Sequence, residues 1–318
     1  MNMVSFRENK VRIAERILPD LLRSLEHCDL CFRKCGVNRL KGETGYCASG
    51  AEPVVYSYAP HHGEEPPLSG WNGSGTIFFS RCNMGCVYCQ NYKFSQFDVG
   101  EKVSAADLGN NMLRLQDMGC HNINFVSPTH FAPKIVEALK YAYSDGLELP
   151  VVYNTGGFDS VSVIRSLEGL VDIYLPDMRY SSEINAEKYS NAPGYVANNR
   201  DLVKEMQRQV GDLEISDSVA RKRLIVRLLI LPGGISGTTE TLEFIRENLG
   251  KNVYLSVMSQ YYPAYKASSH KELACPIERE DHDAVTSKMD ELGLHNGWIQ
   301  PFECGFDKRF AGENFLPA

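Results

Sequence analysis

The chain has 318 residues, 43% of them hydrophobic and 23% charged, with a net charge of −7 and ten cysteines. That length supports one large α/β domain or two ordinary ones, and the acidic balance argues against a surface built to neutralise nucleic-acid phosphates. Clustered at metal-ligand spacing, the cysteines read as metal sites of a cytoplasmic protein and not as a disulfide framework. Arg7, Glu8, Lys10, Arg12 and Glu15 stand where a secretory signal would need an apolar core, and no later stretch reaches membrane-spanning length.

Residues 1–50 carry nine Lys or Arg against six Asp or Glu, a mildly basic face on an acidic chain. Within them lie Cys28, Cys31 and Cys35, with Cys47 following after eleven intervening residues. Four thiolates can close a tetrahedral site, and a small module with little core of its own draws folding energy from a metal. We therefore expect an N-terminal Cys-rich metal-binding module over residues 1–60 and a core domain over 61–318. Zinc and a second iron-sulfur cluster both fit those four sulfurs.

From about residue 76, β-branched and aromatic runs alternate with helical patterns. Strands are predicted at Thr76–Ser80, Asn122–Ser127, Pro150–Thr155, Val171–Asp177, Leu224–Leu231 and Asn252–Met258. Between them Leu108, Met112 and Leu115 recur on one helical face, as do Val136, Leu139 and Tyr143, then Leu242, Ile245 and Leu249. Ser104 with Asp107 forms a capping-box pattern, and Gly119, Gly146, Gly250 and Gly293 sit where helices should stop. The alternation predicts an α/β fold: parallel strands with right-handed crossovers, forming a partial (β/α)6 barrel whose chemistry lies at the carboxyl ends of the strands. Ser181–Ala220 reads as a helical insertion over the cleft. Gly297–Cys304 reads as one more strand or a closing segment, with Trp298 and Phe302 in the core.

Immediately after the first strand comes Arg81-Cys82-Asn83-Met84-Gly85-Cys86-Val87-Tyr88-Cys89. Soft thiolates at this spacing point to an iron-sulfur cluster, since structural zinc is usually closed by four ligands in paired units. A cube of four irons normally takes four cysteines, so three leave one iron open to an outside molecule.

On these residues the chain resembles the radical SAM superfamily, in which S-adenosylmethionine (SAM) chelates the open iron and is cleaved to a 5′-deoxyadenosyl radical. The resemblance assigns Cys82, Cys86 and Cys89 to a [4Fe-4S] cluster and sets Tyr88 against adenine. Pro232-Gly233-Gly234-Ile235-Ser236-Gly237-Thr238-Thr239-Glu240, after the fifth strand, matches the superfamily's GxIxGxxE pattern at Gly233, Ile235, Gly237 and Glu240. Glycines there would let main chain approach a flat ring.

Asn154-Thr155-Gly156-Gly157 and Leu175-Pro176-Asp177-Met178-Arg179 resemble turns of the pyruvate formate-lyase activating enzymes, a resemblance that sets Asn154 and Thr155 at SAM, and Arg227 falls where those enzymes hold an arginine near SAM. An arginine in an apolar strand needs an anion, either the SAM carboxylate or a nearby acid. Asp177 either binds a cation or pairs with Arg179. The chain departs from the pattern at Val126-Ser127-Pro128-Thr129-His130, where many members carry Gly-Gly-Glu, so that Ser127, Thr129 or His130 must serve the SAM amino group. His130 by itself reads as a satisfied surface histidine. Gln260 stands in place of an expected histidine. Cys120 reads as a buried small residue, whereas Cys304 is near enough to the chain end to reach the cleft.

The resemblance implies a radical SAM enzyme, similar to a glycyl radical enzyme activase, that takes an electron from flavodoxin or ferredoxin and abstracts hydrogen from a glycyl radical enzyme. The alternatives are direct modification of a small molecule or peptide and, from another class, a non-catalytic metal-binding scaffold.

Overall fold

The computed structural model describes residues 3–211, 214–216 and 219–302, so that Cys304 lies outside the described residues. The chain opens with helix α1 (Met3–Arg23), passes through the segment bearing the first four cysteines, and enters strand β1 (Val54–His61). A connection containing the one-turn helix α2 (Pro66–Ser69) leads to β2 (Ser74–Phe79). After α3 (Tyr92–Ser95) and β3 (Glu101–Lys102) the alternation begins: α4 (Ala105–Asp117), β4 (Ile123–Val126), α5 (Ala132–Ser144), β5 (Val151–Thr155), α6 (Val161–Ser166) and β6 (Ile173–Pro176). It continues through α7 (Glu183–Ser190), α8 (Tyr195–Val210), the hairpin strand β7 (Glu214–Ser216), β8 (Val219–Leu229), α9 (Thr238–Asn248), β9 (Tyr254–Met258), α10 (Arg279–Leu292) and β10 (Gly297–Ile299).

These strands form one sheet in the order β10-β9-β8-β6-β5-β4-β2-β1-β3, with β7 paired to β8. From β2 to β10 every neighbouring pair is parallel. The six expected strands are all present in their expected order, and β10 adds a seventh. The α/β class with a mostly parallel sheet follows from the alternation, because each crossover helix buries one apolar stripe against the sheet. On α4 that stripe is Leu108, Met112 and Leu115, all without solvent exposure, and each such side chain contributes about 2 kcal/mol. Ser104 and Asp107 close the predicted capping box at its start.

Four features depart from the sequence reading. First, β1 adds to the sheet antiparallel to β2, so the expected boundary at residue 60 falls inside a paired strand. Second, α1 lies against the outer helices: Lys10 donates to the Leu170 carbonyl at 2.9 Å and pairs with Asp172 at 2.6 Å, while Phe6 meets Tyr143 edge-on. Third, the segment expected to be a helical insertion ends in the β7–β8 hairpin. Fourth, Trp298 is only half-buried, because among the described residues β10 is the edge strand of the sheet.

The concave face of the sheet holds a separate small core. Val152, Ile173, Leu175 and Ile225 close around Leu68 of α2, so the β1–β2 connection fills the foot of the barrel.

Candidate functional site

A cavity opens at the carboxyl ends of the parallel strands and is bounded there by Cys82, Cys86 and Cys89. Arg81, which precedes the first of these cysteines, adopts φ +72, and Ser127, just after β4, adopts φ +57. Left-handed backbone at non-glycine residues costs of order 1–3 kcal/mol each and tends to persist where function over-determines it. Both positions turn the chain sharply off a strand end into the cavity wall.

Each thiol has a polar neighbour. The Met84 amide donates to Cys82 Sγ at 3.4 Å, the Ser190 hydroxyl donates to Cys86 Sγ at 2.9 Å, and Cys89 Sγ lies 3.1 Å from the Ser95 hydroxyl. Because Ser190 spends its proton on sulfur, Tyr180 must donate to Ser190 at 2.7 Å, and Tyr88 then donates to Tyr180 at 2.7 Å. Helix α7 thus ends against the cysteine loop, and its carbonyls also accept from the Gly85 and Val87 amides. Burial pushes the Cys82 thiol up to about 12 and the Cys89 thiol up to about 11, with the Arg179 guanidinium opposing both. Loading a metal there must therefore displace protons. Among the described residues no three His, Cys, Asp or Glu side chains converge on a point that would hold a single ion. A cube of irons takes its cysteines at separate corners and does not need that convergence. Three thiols of one loop, each supported by a hydrogen-bonding neighbour and all facing one cavity, fit such a cluster.

Of the residues expected at SAM, Tyr88, Ser127, Asn154 and Arg227 line the cavity. Thr129 and Thr155 do not. They turn instead to buried Asp159, which also accepts from the Tyr153 hydroxyl at 2.9 Å. Gly233, Ile235 and Gly237 also lie off the cavity wall. A Cβ at Gly233 would meet nothing, so its φ of +60 explains the glycine, whereas one at Gly237 would strike the Ser181 hydroxyl. Asn185 donates to the Ile235 carbonyl at 2.8 Å, so this loop packs on the start of α7. Arg227 takes the nearby-acid option, with Nε 2.9 Å from Glu65 and Nη2 3.6 Å from Glu64, and Asp177 pairs with Arg179 at 2.5 Å. Gln260 lines the cavity and bonds to Gln300 at 2.6 Å.

His130 is a correction. It is buried, not on the surface, with Nε2 bonded to the Ser80 carbonyl at 2.9 Å and Nδ1 unpartnered. Burial lowers it to about 3, and it lines a second, small cavity with Cys28, Cys31, Cys35 and Cys47. There Cys31 is pushed up to about 12 by burial, with the other three thiols adding to the shift. Asn83 lines this second cavity while its neighbours Cys82 and Met84 line the first, so one loop separates the two cysteine sites. Arg33 ties them together: it donates to the Asn83 carbonyl at 2.6 Å and stacks 3.4 Å above the Tyr46 ring. Cys120 is buried, as expected.

Sequence reasoning missed His61, at the end of β1, and Glu64 and Glu65, which the β1–β2 connection brings into the barrel. The Glu64-Glu65-Pro66-Pro67 run was the available signal, since paired acids before a rigid turn seldom reach a core without a cation.

Parallel α/β barrel, three-cysteine loop and cavity at one mouth together define a class: a barrel protein built to hold a thiolate-bound cluster beside a ligand. A family model described as the radical SAM superfamily matches residues 76–178, from β2 through the turn after β6. The chain is 30% identical over 294 residues to the uncharacterized protein MJ0674 of Methanocaldococcus jannaschii, covering 90% of this chain and 78% of that protein. The chain therefore belongs to the radical SAM superfamily, whose members are enzymes, and membership implies a [4Fe-4S] cluster and SAM. Among solved structures, the radical SAM methyltransferase TsrM of Kitasatospora setae superposes with a TM-score of 0.50 at 10% identity, over 77% of this chain and 59% of that one. SuiB of Streptococcus suis, bound to SAM, gives 0.49 at 11% identity, over 70% and 48%. The chain thus spans only about half the length of these two solved proteins, and the TsrM likeness carries the fold alone.

Proposed function

We propose that Cys82, Cys86 and Cys89 hold the [4Fe-4S] cluster and that this enzyme cleaves SAM reductively to take hydrogen from a substrate in the barrel. One observation carries the reading: among the described residues, three thiols, and not four, face one cavity at the carboxyl ends of the strands. When bound, the cluster supplies the electron that breaks a carbon-sulfur bond of SAM. The chain's own part is to orient and to exclude water. Tyr88, Ser127, Asn154 and Arg227 form the wall on which SAM rests, and α7 braces the cysteine loop from behind. A flavodoxin or ferredoxin is the expected electron donor.

For the substrate, the turns after β5 and β6 favour a glycyl radical enzyme, while a specific observation favours a directly modified small molecule or peptide. The barrel interior carries Glu64, Glu65 and Arg227, and a backbone glycine offers no charge for them to recognise. We further propose that Cys28, Cys31, Cys35 and Cys47 hold a structural metal, zinc or a second cluster.

The test is anaerobic reconstitution with iron and sulfide, reduction with dithionite, addition of SAM and quantification of 5′-deoxyadenosine beside a Cys89→Ala control. Release by the wild type alone supports the reading. A loaded, reducible protein that binds no SAM and releases no 5′-deoxyadenosine overturns it in favour of a metal-binding scaffold. Iron and zinc analysis of the same samples distinguishes the two metals at the N-terminal cysteines.

A further inference from the structure

Resting on the reading that SAM is cleaved at the cavity mouth, we propose that the floor of the cavity, centred on Glu64, binds a cationic group of the substrate, an ammonium or a guanidinium.

The first argument is position. Strand β1 runs antiparallel to β2, from Val55 opposite Phe79 at the mouth to His61 opposite Ser74 at the foot. The connection that follows therefore begins at the end of the barrel opposite the cysteines. Gly63 and Glu64 nevertheless line the same cavity as Cys82, Cys86 and Cys89. A single space thus runs from the thiols down to Glu64, and a substrate lying below SAM ends there.

The second argument is charge. Besides the cysteines, the tyrosine and His61, four ionisable side chains decide the balance on the wall: Asp177, Arg179, Arg227 and Glu64. Asp177 and Arg179 form a closed pair at 2.5 Å. Arg227 sits closest to Glu65, at 2.9 Å, against 3.6 Å to Glu64. Glu65 is the deeper of the two acids, 1% exposed, and does not line the cavity, so it takes up most of the Arg227 charge. Glu64 is left as the less neutralised carboxylate, 8% exposed, with Oε2 buried, 3.6 Å from Arg227 and, among the described residues, without a hydrogen bond of its own to that guanidinium. Beside it lies Asn124, within hydrogen-bonding reach of the Glu64 carboxylate, its amide buried and, among the described residues, otherwise without a partner.

His61 does not supply the missing cation, because burial lowers it to about 4 and keeps the ring neutral. Glu64 itself rises to about 7 from burial and the neighbouring Glu65, against the pull of Arg227. A buried acid in that state gains most from a ligand that brings both a positive charge and a donor. Magnesium or calcium fits poorly: each asks for six or more oxygens, and the Arg227 guanidinium already stands beside the carboxylate. An organic cation needs only one ion pair and a few hydrogen bonds, which Glu64 and Asn124 can give.

The test titrates reconstituted protein anaerobically, with and without SAM, using butylammonium, agmatine and, as the neutral isostere, 1-butanol, followed by calorimetry. We expect at least one of the two cations to bind tenfold or more tightly than 1-butanol, and Glu64→Gln to erase that preference. Glu64→Asp, which withdraws the carboxylate by one methylene, should weaken the cation to an intermediate degree and serves if Glu64→Gln does not fold. Equal binding of cation and alcohol by the wild type overturns the proposal, as does a preference that survives Glu64→Gln. Loss of SAM affinity by the same factor as cation affinity would make Glu64 a SAM contact and also overturn it. Cation binding requires no SAM cleavage, so absence of 5′-deoxyadenosine would sink the catalytic reading separately.

Discussion

The two cysteine groups have mirror-image spacings, two then three residues between Cys28, Cys31 and Cys35, and three then two between Cys82, Cys86 and Cys89. Their surroundings differ. The triplet follows a buried strand, has hydroxyl groups against its sulfurs, and faces a cavity that also holds Arg227, Asn154 and Glu64. The quartet lies in irregular chain pinned to the β5–α6 turn, where Cys31 bridges Asp159, and lines a small space closed by Arg39 and His130. Spacing sets how a metal is held, whereas the neighbourhood decides whether anything else can reach it. An open mouth suits chemistry, and a closed pocket suits structure.

The comparison breaks most visibly at the triplet. Cys86→Ser should abolish 5′-deoxyadenosine formation and cluster assembly, measured by iron and sulfide content, while leaving metal at the quartet. Cys31→Ser should do the reverse: cluster spectra persist at the triplet, and the melting temperature falls by about 10 °C, because a metal closing a region without its own core contributes directly to folding. If Cys31→Ser left stability untouched, the structural assignment of the quartet would fail.

His130 sharpens the contrast through pH. Its value drops from the ordinary 6.5 to about 3 in the fold, chiefly by burial. As pH falls below 6.5 the unfolded chain takes up the proton first, so stability is present above that pH and is lost progressively until the folded histidine titrates as well. Between pH 8 and pH 5 this amounts to about 2 kcal/mol. Urea denaturation followed by fluorescence should show that loss in the wild type and a flatter profile in His130→Gln. The smallest effect concerns the hydroxyl chain Tyr88, Tyr180, Ser190 that ends on Cys86. Removing a donor from a cluster sulfur disfavours the reduced state, so Ser190→Ala should lower the reduction potential by tens of millivolts, read by anaerobic potentiometry. An equal shift in a variant such as Ser162→Ala, at a serine of α6 whose hydroxyl shares a hydrogen bond with Ser160, would assign the change to general destabilisation.

Arg33 is the contact through which the two groups can influence each other. It holds the Asn83 carbonyl and the Tyr46 ring, and Tyr46 lies so close to Gly85 that a side chain there would strike its hydroxyl. A side chain at Gly85 would therefore push the Tyr46 ring of the N-terminal segment away from the cluster loop.

The six parallel strands, the helix faces and both cysteine groups were legible in the sequence, because each is written in local spacing: period two or buried runs for strands, period 3.6 for helices, a few residues between thiols. Arg227 was legible as a buried cation in need of an anion, although not the identity of that anion. Tertiary structure alone decided that Glu64 and Glu65 supply it, since these acids belong to a connection that only the antiparallel pairing of β1 carries into the barrel. It also decided that Thr129 and Thr155 serve Asp159, that the Gly233–Gly237 loop packs on α7, and that His130 is buried beside the quartet. Local pattern fixes which residues share a face of one element. Which faces meet depends on pairings between residues far apart in the chain, and no short-range period records those.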